Sequence, residues 1–266
     1  MNIPESTLNQ LFKGLEAYNP TMNNIMTKIA IVLQPLGIAI VGILFLLELA
    51  NYSKKFDKED GGITSEVLAN IGLKYLIAFV LIMGSSYMMD AILWFGIQVS
   101  KWINSVITVG AMDDVIPAMG KTSWWSKPIV FLFQIFAYIA LWLSGFVTNI
   151  LIFLRSIQLY IVKAIAPILI AFFVHDELRS IAVGYFKYVM ALALQGALLV
   201  LIIGLIPILM KSDVLSMTSF EGGMWQGVGA VIINIMNYIV LILKYAAVII
   251  TLIGSQNMAK KFMGAM

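Results

Sequence analysis

IAIVLQPLGIAIVGILFLLEL, residues 29–49, is long and apolar enough to cross a hydrocarbon core of roughly 30 Å. Runs like it recur along the chain, and this constrains the fold more than any motif does. Hydrophobic residues make up 61% of the sequence and charged residues only 12%, about half the usual share of a soluble domain. Such a chain cannot cover itself with a polar surface. In lipid the backbone must satisfy its own hydrogen bonds, which leaves helices or a closed barrel. A barrel needs roughly ten-residue segments of alternating polarity, and these runs do not alternate. The expected class is all-α: a polytopic transmembrane helical protein of five to six spans with an N-terminal amphipathic helix.

Six spans are expected at 29–49, within 71–99, at 129–152, at 156–174, near 185–210 and near 229–253. The chain then divides into an N-terminal amphipathic segment (1–28), one transmembrane helical domain (29–253) with a central loop (100–128), and a short basic tail (254–266). In the first segment Leu8, Leu11, Phe12 and Leu15 fall on one helical face, with Ser6 or Thr7 as its cap. This helix either lies on the membrane surface or packs on the spans. Trp102, Trp124 and Trp125 mark the central loop as touching the membrane interface. The small residues Gly84, Ser85, Ser86 and Gly196 suit close helix packing, and Asp90 follows the first three on what reads as a packing face. No heptad repeat or internal duplication stands out. Lysine counts on the two sides of the expected spans conflict with the density of the first loop, so orientation stays open.

The chain has no cysteine and one histidine, His175. Thiolate chemistry and histidine-cluster metal sites are therefore excluded. Asp113-Asp114 supplies too few oxygens for a hard cation. There is no P-loop and no HExxH, and Asp90, in the context MMDA, lacks the second acid of an intramembrane aspartyl protease. The expectation is a protein that is not an enzyme, with no cofactor. The net charge of +3 is mild and is weak support for nucleic-acid binding.

The segment FLRSIQLYIVKAIAPILIAFFVHDELRS, residues 153–180, holds the informative oddities. Arg155 and Lys163 are eight residues apart, on roughly one helical face. Arg155 reads as marking a tight hairpin between two apolar runs. Lys163 lies deeper and needs a long snorkel, a partner or a wet cavity. Pro167 removes a backbone donor and kinks the helix. Asp176, Glu177 and Arg179 close the segment as a charged turn. Arg155, Lys163, Pro167, Asp176, Glu177 and Arg179 are thus the candidates for a pore, docking or kink role. A small secondary transporter with a polar path between helices is the competing reading, although its expected paired halves are missing.

AIAPILIAFFV, then HDELRS, then GYFKYVMALALQGALLVLI resembles the TrbL-type family of polytopic inner-membrane subunits of type IV secretion and conjugation systems. Ala166-Pro167 matches the family's Ala-Pro helix, and Leu178-Arg179 stands near its charged turn. Tyr185 and Phe186 stand where the family often has tryptophan, and the usual threonine of the turn is absent. The resemblance implies a channel or scaffold subunit in the cytoplasmic membrane of a bacterium. It implies association with further copies, with secretion ATPases and with bitopic scaffold subunits, and transient contact with transferred single-stranded DNA or protein. It also implies a docking or gating role for the charged turn, and it places the N-terminus and central loop outside.

Overall fold

A computed structural model describes residues 5–56, 65–107, 116, 119, 124–125, 127–211 and 230–265. Among these residues the chain is helical and has no strand. The helices are α1 (Glu5–Leu11), α2 (Leu15–Tyr18), α3 (Pro20–Phe56), α4 (Ser65–Met83), α5 (Ser85–Val106), α6 (Lys127–Ala171), α7 (Arg179–Lys211) and α8 (Ala230–Met263). Five of them, α3, α4, α6, α7 and α8, are long and apolar enough to cross a membrane.

The count is five because the expected third and fourth spans are one helix. α6 runs unbroken for 45 residues, so the hairpin expected at Arg155 does not form. Nothing in ILIFLRS removes a backbone donor or supplies a stop signal, and arginine is a good helix former. The expected second span goes the other way and divides at Gly84, into α4 and α5. The peptide ladder continues on both sides of the break: Gly84 N–H donates to the Val80 carbonyl (2.9 Å) and Met88 N–H to the Gly84 carbonyl (3.0 Å). Gln34 Nε2 supplies a donor to the Met83 carbonyl (3.2 Å) at the break. The expected tail is also helical, since α8 continues to Met263. Of the loop expected at 100–128, residues up to Val106 belong to α5; Asp113-Asp114 lies outside the described residues.

The N-terminal helix differs from expectation as well. It forms two short helices separated by Phe12–Gly14, and α1 starts ahead of Ser6 and Thr7, so neither caps it. The Thr7 hydroxyl donates instead to Asn149 Oδ1 on α6 (3.1 Å). Leu8, Leu11 and Leu15 are buried, so of the two readings the helix packed on the spans is the one found. Asn19 caps α3 by accepting the Met22 N–H on its side chain (3.0 Å), with Pro20 at the first helical position, where its missing donor costs nothing. The Tyr160 hydroxyl of α6 donates to the Leu15 carbonyl (2.7 Å) and so holds α2. Tyr160→Phe should cost about 1 kcal/mol and speed proteolytic cutting at residues 13–19. Unchanged cutting would mean that the clamp does not hold this segment.

The chain divides into two compact units. The first comprises Lys13–Ile97, Arg155–Leu194 and Ala259–Met266. Its core includes Val41, Tyr75, Ile82, Met89, Ile170 and Leu192. Here α3 runs antiparallel to α4–α5: Glu48 meets Lys74, Gln34 meets Met83, and Asn23 reaches the level of Asp90. The second unit comprises Met1–Phe12, Gln98–Leu154 and Gln195–Met258, with a core of Val130, Ala137, Tyr238, Leu241, Tyr245 and Ile116.

Candidate functional site

Two polar clusters stand within the first unit, near opposite ends of α3. The deeper one centres on Lys163, whose side chain is 2% exposed. Helix α6 carries this cation because its other contact positions, Tyr160, Ala166 and Ile170, are buried on the same side. A buried ammonium is tolerated only with partners. Lys163 Nζ lies 2.8 Å from both carboxylate oxygens of Asp90 on α5 and donates to Asn23 Oδ1 on α3 (3.0 Å). The pair is lopsided, for the Asp90 side chain is 50% exposed. The cation is sealed while the anion keeps one side open.

Pro167, one turn on, cannot donate to the Lys163 carbonyl. That stretch of α6 lies against α3 at Gly37, where a Cβ would fall 2.6 Å from the Pro167 carbonyl oxygen. Only glycine permits this approach. Behind the pair, the Tyr185 hydroxyl of α7 donates to the Val162 carbonyl (3.2 Å) and lies 3.0 Å from Met89 Sδ. Arg155 is also buried, at 6% exposure, and its Nε donates to the Leu192 carbonyl of α7 (2.8 Å). The three helices α5, α6 and α7 are thus joined by polar contacts among residues 89–90, 155–163 and 185–192.

The second cluster sits where α6 turns into α7. Glu48 accepts from Lys74 Nζ (3.1 Å) and from the Tyr75 hydroxyl (2.6 Å). Lys74 also lies 3.8 Å from Asp176, whose side chain is 84% exposed. The turn is built from its own backbone: the His175 carbonyl accepts from Leu178 N–H (3.1 Å) and Arg179 N–H (2.8 Å). The Arg179 guanidinium lies 4.9 Å from the centroid of the Phe173 ring, a cation–π contact. Glu177 is exposed.

The family model described as TrbL/VirB6 plasmid conjugal transfer protein matches residues 67–253, well over half of the chain. The chain belongs to the TrbL/VirB6 plasmid conjugal transfer family. It is a multi-pass membrane subunit of conjugal transfer. No curated protein and no solved structure matches it. The TrbL/VirB6 match contains Asp90, Lys163, Pro167 and the charged turn, whereas Asn23 lies outside it.

The structure brings only some of the sequence candidates together. Lys163 and Pro167 belong to the deep cluster and Asp176 to the turn cluster, with Glu177 and Arg179 beside it. Arg155 is buried, whereas Asp176, Glu177 and Arg179 are the exposed charges of that segment. Gly84 forms the α4–α5 break, Ser85 and Gly196 are buried, and Ser86 is half-buried. The Ser85 and Ser86 hydroxyls have no hydrogen-bond partner within reach. Trp102, Trp124 and Trp125 are exposed, and the last two rings lie with centroids 3.8 Å apart, tilted by 36°. Sequence reasoning missed Asn23 and the pairing of Asp90 with Lys163. A usable signal existed for the latter: a cation buried in an apolar run requires an acid, and acids within such runs are few.

Proposed function

We propose that this chain is a channel and scaffold subunit of a type IV secretion machine in the bacterial cytoplasmic membrane. It helps pass DNA–protein or protein cargo across that membrane and catalyses no reaction itself. Further copies of the chain, the secretion ATPases and the bitopic scaffold subunits are its partners. Membership of the TrbL/VirB6 family over residues 67–253 carries this reading. A second support is the polar material held inside apolar helices, which is costly and therefore marks function more often than packing.

A donor strain lacking the chain should transfer nothing and recover when the chain is restored. Crosslinking in mating donors should trap cargo on the chain. Loss of transfer without any trapped cargo would remove the channel role, and full transfer without the chain would remove the reading altogether. The exposed turn is the docking element for the machine's soluble parts. Asp176→Ala with Arg179→Ala should lower transfer about tenfold, the equivalent of roughly 1.4 kcal/mol of lost association. Exposed charges contribute little to folding, so the amount of protein should not change. Undiminished transfer would refute the docking role.

A further inference from the structure

Helix α8 ends in a defined cap. Gly264 has φ +59°, in the left-handed region that suits glycine. Its N–H donates to the Lys261 carbonyl (3.2 Å), and the Ala265 N–H donates to the Lys260 carbonyl (2.9 Å). These are the paired bonds of a Schellman ending, and they fix Lys260 and Lys261 in the last turn. Helix α7 brings a third cation to the same place. Lys187 Nζ lies 3.6 Å from the position that a Cβ on Gly264 would take. Lys260 Nζ lies 5.3 Å from the ring centroid of Tyr188, the next residue of α7.

Among the described residues no acid pairs with any of the three ammonium groups; the ion pairs involve Lys74 and Lys163. The end of a helix offers about half a negative charge, against three positive ones. Lys187 and Lys261 are exposed. Apolar surface lies alongside: Phe262 is 63% exposed and Met190, one turn from Lys187, is 46% exposed. A cation surplus beside exposed apolar side chains, at the end of a helix able to cross a membrane, has the two-part chemistry of a lipid: a phosphate and an acyl chain.

We propose that Lys187, Lys260 and Lys261 bind the phosphate of an anionic phospholipid, with Phe262 and Met190 against its acyl chain. A single-stranded nucleic acid also offers phosphates. Its binding relies on a longer basic groove with aromatic faces free for base stacking, whereas here Lys260 lies over the Tyr188 ring.

Native mass spectrometry of the full chain in detergent tests this, with phosphatidylglycerol and phosphatidylcholine offered separately. The chain should retain phosphatidylglycerol about tenfold or more over phosphatidylcholine. K187Q/K260Q/K261Q should lose the preference, and K187R/K260R/K261R should keep it. Loss in the arginine variant too, or retention in the glutamine variant, would overturn the assignment. So would full displacement of the lipid by millimolar inorganic phosphate, which would leave an anion site only. Equal displacement by a single-stranded oligothymidine would also overturn it, in favour of a nucleic-acid surface.

Discussion

Asp90→Ala should be among the most damaging single changes in this subunit, at about 3 kcal/mol or more of folding stability. The substitution leaves the Lys163 ammonium, 2% exposed, sealed in the protein with Asn23 as its remaining partner among the described residues. Removing the cation instead should be milder. Lys163→Met leaves a carboxylate whose side chain is half exposed and can turn outward, so about 1–2 kcal/mol is expected, near the cost of a buried group that finds partial compensation. The double variant, Asp90→Asn with Lys163→Met, should be more stable than Asp90→Ala alone, because no uncompensated charge remains. Thermal unfolding in detergent reads all three. Equal losses for the two single changes would show that the pair is not lopsided.

Gly37→Leu should be nearly as damaging, at about 2–3 kcal/mol. A Cβ there would come within 2.6 Å of the Pro167 carbonyl oxygen and 3.2 Å of its carbon. Both are backbone atoms and cannot rotate aside, so α3 must move away from α6. Gly37→Ala should show the same direction with a smaller loss. The measurement is the unfolding midpoint of the purified chain. A midpoint for Gly37→Leu equal to that of the natural protein would mean that the helices are free to separate without penalty.

How far the sequence can be read depends on whether the signal is local. The apolar runs report the environment residue by residue, so the helical membrane class is legible at once. Helix ends are legible only where a residue acts on its own backbone. Asn19-Pro20 opening α3 and the turn at 172–178 are local in this sense. Arg155 misleads because a charge between two apolar runs looks like the edge of a membrane. Its role depends on the Leu192 carbonyl, 37 residues away, which no local pattern contains. The same holds for Lys163 and Asp90, 73 residues apart. The Gly37–Pro167 approach is longer still in sequence and shows itself only when the backbones are placed. The break at Gly84 is half legible: its small residues point to close packing, but not to the interruption of the helix that they allow.

Along the buried side of α6, Tyr160, Lys163, Pro167 and Ile170 are spaced three, four and three apart. On α5, Met89, Leu93, Gly96 and Ser100 are buried at spacings of four, three and four. The α5 stripe meets α7, where Gly96 approaches Ala193 and Met89 lies against the Tyr185 hydroxyl, while Lys163 in the α6 stripe reaches Asp90 at its edge. A polar position inside a helix contact specifies register at some cost in stability, and Lys163 is that position in α6. Sliding α5 by one turn would bring Ser86 or Trp94 to the place of Asp90 and leave the ammonium sealed without a counter-charge. The pair therefore acts as a detent: it makes one axial alignment of α5 and α6 the stable one, and any shift between these helices must first find Lys163 another anion.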